Sequence, residues 1–161
     1  MKAMKPSRII AIIASALLLA NCSDRPEDLL FTDYFVSIQD ENGSESSRVL
    51  ATSNNLVKTY YLKLVSVART EPLTVYFDIE IGDGLTKGVD FTLQRDVTSI
   101  DFEPGVYQKP FRINYLGCAV DPSKDNTIKI RLTSTSDPSV RVGRPGPKSK
   151  FSVHTIEKYN L

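Results

Sequence analysis

Between residues 34 and 161, apolar side chains tend to recur at every second position. The clearest case is the segment 73–81, in which Leu, Val, Phe and Ile alternate with Thr, Tyr, Asp and Glu. The segments 99–102, 111–115 and 128–133 show the same alternation. Successive side chains of a β-strand point to opposite faces, so this period predicts strands with one face in a core and the other in water.

Turn-forming residues separate these segments, because Gly, Asn and Asp accept positive φ and Pro presets it. The turns are Asn42-Gly43, Gly82-Asp83-Gly84, Pro104-Gly105 and Asp121-Pro122. The predicted strands cover residues 34–40, 58–67, 73–81, 88–94, 99–102, 111–115, 128–133 and 151–158. The pattern predicts an all-β, immunoglobulin-like β-sandwich of seven to eight strands over residues 34–161.

The first 21 residues are typical of a secretory signal peptide. Lys2, Lys5 and Arg8 precede an apolar run over residues 9–20. This run is too short for a membrane-spanning helix, which needs about 20 residues. We therefore expect residues 1–21 to direct export and then to be removed.

The residues around Cys22 resemble the bacterial lipobox, which has a Leu three positions before an invariant Cys. Here they read Leu19-Ala20-Asn21-Cys22. The resemblance implies that the Cys22 thiol is diacylated and its freed amine acylated, and two or more acyl chains anchor a protein stably at a membrane. The alternative is a plain secreted protein in which Cys22 is accidental.

Residues 22–33 form a short polar and acidic tether after this cysteine. The tether is similar to the signal that sends lipoproteins of the Bacteroidetes to the outer face of the outer membrane. That similarity implies an outer-membrane protein that faces the cell exterior. The alternative is an ordinary solvated linker.

Charge and cysteine content exclude some partners. Removal of residues 1–21 leaves 17 basic and 19 acidic residues, a formal charge of minus two. Nucleic acid binding, which needs a basic surface, is not expected. With Cys22 lipidated, Cys118 has no disulfide partner in the chain, and we expect it to be an inert thiol.

Three segments resemble the Calx-β pattern, in which a Gly-x-Asp-aromatic strand is followed by a strand ending in Pro-Gly and by a further core strand. They are Gly88-Val89-Asp90-Phe91, Ile100-Asp101-Phe102-Glu103-Pro104-Gly105 and Phe111-Arg112-Ile113. The whole chain looks most like small Bacteroidetes lipoproteins of unknown function encoded near SusC/SusD-type glycan-uptake systems. The resemblance implies a Calx-β-like domain over residues 58–158.

One departure from that pattern bears on metal binding. Calx-β domains that bind calcium carry a dense acidic run between their last strands, since Ca²⁺ takes six to eight oxygen ligands. The matching stretch here offers only Asp121 and Asp125, with Lys124 beside them. They are weak calcium candidates, and turn formation is the better interpretation. No metal or cofactor is expected.

Catalytic patterns are missing from the sequence. The single histidine, His154, cannot build a His-based zinc site, and there is no G-x-S-x-G turn or phosphate-binding loop. Asp78 and Glu80 on one strand face are a candidate carboxylate pair of the glycosidase type. Two carboxylates on an outward face are more often only solvated, so we expect a protein without enzymatic activity.

Two stretches are candidate binding surfaces. The first is the outward face of the segment 73–81, where Tyr76 stands beside Asp78 and Glu80. An aromatic ring next to carboxylates can stack on a sugar and accept hydrogen bonds from it, although cross-strand packing of Tyr76 is the simpler alternative. The second is the Pro/Gly-rich stretch 140–150, which could meet an acidic glycan or partner. Its basic residues are Arg141, Arg144, Lys148 and Lys150.

The features together predict a lipid-anchored, monomeric binding or accessory protein of an outer-membrane glycan-uptake system. Its expected partners are the membrane, outer-membrane uptake proteins and polysaccharide. The alternative is a structural or adhesive surface subunit that assembles through an exposed edge strand.

Overall fold

The computed structural model describes residues 33–52, 55–146 and 148–161. The predicted signal peptide, Cys22 and the tether up to residue 32 lie outside these residues. The described ranges contain no helix, so none that could span a membrane. They form ten strands: β1 Phe35–Asp40, β2 Ser46–Leu50, β3 Leu56–Val65, β4 Leu73–Ile81, β5 Phe91–Leu93, β6 Ser99–Phe102, β7 Gln108–Tyr115, β8 Thr127–Thr135, β9 Arg141–Val142 and β10 Val153–Tyr159.

The ten strands form two five-stranded sheets that pack face to face. Sheet 1 has the order β5-β7-β3-β1-β9, and sheet 2 has the order β2-β10-β8-β4-β6. Neighbouring strands are antiparallel, except that β9 runs parallel to β1 and β2 runs parallel to β10. The predicted all-β sandwich is confirmed.

The core lies between the sheets and is built by the predicted alternation. In β4, Leu73, Val75 and Phe77 are at most 1% exposed, whereas Tyr76 between them is 43% exposed. Phe77 meets Phe111 of β7 edge-on, with ring centroids 5.5 Å apart. This contact joins the two sheets, and its T-shaped geometry is a favoured one for aromatic pairs.

All eight predicted strands are present, and two further strands, β2 and β9, are not among them. Each lies at the edge of its sheet, parallel to its neighbour. In β2 only Val49 is buried, and β9 has two residues. Such short edge strands are held by main-chain hydrogen bonds and carry too few apolar residues to show a period.

Two predicted strand boundaries are wrong for a backbone reason. The segment 88–94 narrows to Phe91–Leu93, because Gly88 adopts φ +88° and the Asp90 carboxylate accepts a hydrogen bond from the Thr86 amide. The last strand begins at Val153 because Phe151 has φ +63°. Positive φ is incompatible with an extended strand, so turns occupy these positions.

Candidate functional site

The carboxylates of the predicted stripe lie on the outward face of β4 in sheet 2. Asp78 is directly opposite Arg131 of β8, and Glu80 is opposite Lys129. Both carboxylates therefore face the basic side chains of the neighbouring strand. Such cross-strand pairs of opposite charge stabilise a sheet.

Glu80 is bound to Arg131 through two hydrogen bonds. The Arg131 Nε lies 2.6 Å from Glu80 Oε1, and Nη2 lies 3.3 Å from Oε2. These bonds lower the pKa of Glu80 below its ordinary value and raise that of Arg131. Glu80 is therefore ionised at neutral pH. It is poorly suited to be the protonated general acid that a glycosidase pair requires.

The rest of this face carries similar polar contacts. Thr74 donates to Asp101 of β6 at 2.7 Å. Arg48 of β2 forms a two-bond pair with Glu157 of β10, and its guanidinium lies 4.1 Å from the centre of the Tyr159 ring. Much of the charge on sheet 2 is thus matched across strands, which is typical of a solvated sheet surface.

Tyr76 remains the accessible aromatic side chain of the stripe. It is paired in register with Ser99 of β6 and Ser134 of β8, two small residues. Among the described residues no ring contact is found for it. Its exposed ring, beside the carboxylates, is an available surface for stacking.

The basic residues of the second stretch lie on β9 and in the loop that follows it, next to β1 of sheet 1. Arg141, Arg144, Lys148 and Lys150 are all exposed. Arg141 therefore lies in sheet 1, whereas the stripe lies on β4 of sheet 2. The other three residues lie in the loop that leads from β9 to β10.

The loop is fixed at both of its ends. The Gly143 amide donates to Val36 and the Ile38 amide donates to Phe151, so both ends hydrogen-bond to β1. The Arg144 guanidinium stacks 4.0 Å above the Phe151 ring, and the Glu45 carboxylate accepts a hydrogen bond from the Phe151 amide. These contacts hold Arg144 against Phe151, next to β1.

The two weak calcium candidates form turns. Asp121 Oδ1 accepts from the amide and hydroxyl of Ser123 at 2.9 and 2.7 Å. Asp125 Oδ1 accepts from the amide and hydroxyl of Thr127 at 3.1 and 2.7 Å. The Ser123 hydrogen bonds lower the pKa of Asp121. Over the described ranges, no three His, Cys, Asp or Glu residues gather as metal ligands.

His154 lies in the last strand, as predicted, and is fully buried. Its Nε2 is 3.1 Å from the Ser47 hydroxyl, and its ring centroid is 4.9 Å from that of Tyr60. The Tyr60 hydroxyl is 2.9 Å from the hydroxyl of Tyr115. His154 therefore belongs to a buried polar cluster. Cys118 is a free, half-exposed thiol outside this cluster.

Two features of the interior were not predicted, namely the pair of tyrosine hydroxyls and an ion pair between Lys158 and Asp90. The alternation in β10 places His154, Ile156 and Lys158 on one face. That period could have identified Lys158 as an inward residue. Nothing local to the sequence identifies Asp90, 68 positions away, as its partner.

Comparison with known proteins gives structural neighbours only. The chain matches no protein-family model and no curated protein. A crystal structure of the apo form of the Calx CBD1 domain shares 18% identity, with a TM-score of 0.49 over 79% of this chain and 98% of that one. A structural-genomics protein of unknown function from Bacteroides ovatus shares 8% identity, with a TM-score of 0.51 over 79% of this chain. This chain spans about half, 47%, of the latter's length. The Bacteroides likeness is one of fold alone.

Proposed function

We propose that this protein is a lipid-anchored binding or accessory component of an outer-membrane glycan-capture system, and that it has no catalytic activity of its own. The observation that carries the proposal is the position of Cys22. It follows directly on a basic and apolar export segment, with Leu19 three positions before it. The described β-sandwich begins shortly afterwards, with β1 at Phe35.

The lipid anchor would act by confining the β-sandwich to the membrane surface. Twelve residues separate Cys22 from β1, and a chain of that length reaches at most about 40 Å when extended. The sandwich would therefore stay close to the membrane, where its effective concentration toward neighbouring membrane proteins is raised. Its exposed surfaces would then contact glycan or an uptake protein.

The polar surface of sheet 2 supports a binding role over a catalytic one. Glu80 is held ionised by Arg131, and Thr74 is bonded to Asp101. Side chains held in cross-strand pairs are poorly placed to exchange protons with a substrate. The exposed ring of Tyr76 is instead suited to contact a sugar without reacting with it.

The first experiment tests the anchor by comparing Cys22→Ser with the matched control Cys118→Ser in the full precursor. We expect Cys22→Ser to lose the mass of the acyl chains and to leave the membrane fraction. Cys118→Ser should remain lipidated and membrane-bound. A Cys22→Ser product with unchanged mass and unchanged membrane association would contradict the proposal.

The second experiment tests location and binding. Protease treatment of intact cells should remove the domain, whereas survival of the domain in unbroken cells would contradict surface exposure. The mature lipoprotein in detergent should be retained by at least one polysaccharide of a panel. Assembly into filaments with no retention on any polysaccharide would favour the adhesive subunit instead.

A further inference from the structure

A groove of about 430 Å³ lies where the edges of the two sheets separate, between β6 and β7. It exists because β5 is short. The three residues of β5 pair with Ile113–Tyr115, so among the described strands none lies beside the first half of β7 on that side. The volume lies in the range typical of small-ligand sites.

Pro110 helps to keep this edge open. The Gln94 amide donates to the Arg112 carbonyl on the open side of β7. Main-chain groups alternate between the two edges of a strand, so Pro110 also faces the open side. Proline has no amide hydrogen, which removes the donor that another strand would need. The groove is therefore better suited to a ligand than to an added strand.

The groove is lined by four apolar residues and seven polar or charged ones. Its lining residues are Val97, Ile100, Pro110 and Phe111 together with Gln94, Arg95, Ser99, Asp101, Glu103, Lys109 and Arg112. A polar lining of this kind suits a polar ligand, which can hydrogen-bond to several of these side chains. The four apolar residues can contact the C–H face of a sugar ring.

The charges of the lining residues do not cancel completely. Lys109 is paired with Glu103, and Asp101 accepts the hydrogen bond of Thr74. Asp101 keeps its negative charge, because the Thr74 hydroxyl that donates to it is neutral. Two arginines have no ion-pair partner among the described residues. Arg112 reaches only the amide oxygen of Gln94, at 3.5 Å, and no ion pair of Arg95 is found among the described residues. Both arginines are exposed. The groove lining has three basic and two acidic side chains, and hence a formal charge of plus one.

We propose that this groove binds the carboxylate of an acidic sugar, with Arg95 and Arg112 as the carboxylate ligands. The inference rests on the proposed glycan-capture function and names its substrate class as uronic-acid oligosaccharides. The planar guanidinium group offers paired donors that match a carboxylate. The sugar ring lies against Pro110 and Ile100.

The test is calorimetric titration of the full mature lipoprotein in detergent. The probes are a trimer of galacturonic acid and its fully methyl-esterified form, which differ in charge but not in linkage. We expect the acid to bind at least about tenfold more tightly than the ester, as for loss of a charge-assisted hydrogen bond. Equal binding of the two forms would overturn the proposal.

Variants assign the binding to the groove. Arg112→Gln and Arg95→Gln should each weaken binding of the acid about tenfold, while Arg112→Lys should retain part of it. Arg48→Gln, which removes the same charge from sheet 2, should leave binding unchanged. An Arg95→Gln/Arg112→Gln double variant with an unaltered unfolding midpoint and unaltered binding would overturn the assignment.

The failures of the two proposals can be told apart. If wild type and the double variant bind a neutral polysaccharide equally well, and neither prefers the acid, the groove assignment is wrong and glycan capture stands. If neither acidic nor neutral saccharides bind to the wild-type protein, both proposals fail.

Discussion

Lys158 and Asp90 form a buried ion pair that ties the two sheets together. Lys158 Nζ lies 2.8 Å from Asp90 Oδ1, and the side chains are only 2% and 8% exposed. Lys158 belongs to β10 of sheet 2, whereas Asp90 immediately precedes β5 of sheet 1. The second oxygen of Asp90 accepts the Thr86 amide at 2.8 Å. The pair thus also fixes the turn that leads into β5.

We expect Lys158→Met to destabilise the fold strongly, by about 3–5 kcal/mol, because it leaves the Asp90 charge buried without a partner. The measurement is urea unfolding followed by circular dichroism. The exposed pair Arg48–Glu157 serves as control, since Glu157→Gln should cost no more than about 1 kcal/mol. If both substitutions lowered the free energy of unfolding equally, the burial of the Lys158–Asp90 pair would not be important for stability.

A double variant separates the charge from the packing. Asp90→Asn/Lys158→Met removes both charges and retains a side-chain oxygen for the Thr86 amide. We expect it to be more stable than Lys158→Met alone, since no unpaired charge stays buried. A double variant that is less stable by the sum of the two single effects would contradict this account.

The buried His154 should make the folded protein less stable in mild acid. Burial lowers the pKa of His154 below its ordinary value of 6.5. This effect of burial is larger than the opposing effects of Asp40, the Ser44 backbone and Glu45, which raise the pKa. The unfolded chain therefore takes up a proton near pH 6.5 that the folded protein does not. The contribution of His154 to the free energy of unfolding is therefore fully present above pH 6.5. It is lost as the pH falls through the lowered pKa of the folded protein.

The measurement is the free energy of unfolding between pH 7 and pH 5, compared in wild type and His154→Leu. One group can give a slope of at most about 1.4 kcal/mol per pH unit. Asp137 titrates in a lower range, because hydrogen bonds from Ser139 and then Arg69 hold its pKa at about 2. An equal slope from pH 7 to pH 5 in both proteins would exclude His154 as its source.

The effects of removing the Tyr60 and Tyr115 hydroxyls on the free energy of unfolding should not be additive. They lie 2.9 Å apart in the core, and burial raises the pKa of each tyrosine. Tyr115→Phe leaves the Tyr60 hydroxyl without this bond, at a cost of about 1–3 kcal/mol. Adding Tyr60→Phe should cost little more, because both polar groups are then gone. Additive losses in urea unfolding would contradict the coupling.

Gly143 should tolerate no side chain. It has φ +80°, and a Cβ atom at this position would clash with the Ser149 carbonyl oxygen. We expect Gly143→Ala to cost about 2–4 kcal/mol. Gly105 has φ +81° with open space around it, so Gly105→Ala should cost only the backbone strain, about 1–2 kcal/mol. Thermal unfolding of the two variants tests the difference.

The candidate surfaces show which structural properties the alternation of residues can predict and which it cannot. The alternation placed Tyr76, Asp78 and Glu80 correctly on one outward face, because side-chain direction in a strand is a local property. It did not reveal that Arg131 neutralises Glu80. That contact depends on which strand lies beside β4 and in what register, and a bulge in the pairing between Tyr76 and Phe77 shifts that register.

The groove was not predicted for a related reason. Arg95 and Arg112 lie 17 positions apart in the sequence. Arg112 stands in the Calx-β-like segment 111–113, but that pattern does not link it to Arg95. They line one groove because β5 ends early and Pro110 leaves the edge of β7 open. A strand's length and the opening beside it follow from pairing with other strands.

The sequence by itself determined the all-β class and which side chains of most strands face the core, since a period of two is written into neighbouring residues. It also determined the candidate lipidation site at Cys22, which depends on adjacent residues alone. Only the tertiary structure decided that Lys158 meets Asp90, that β2 and β9 complete the sheets, and which charges remain unpaired. These features depend on strand order and register. Strand order and register are set by the free energy of pairing and packing residues that lie far apart in the sequence, so no local segment reveals them.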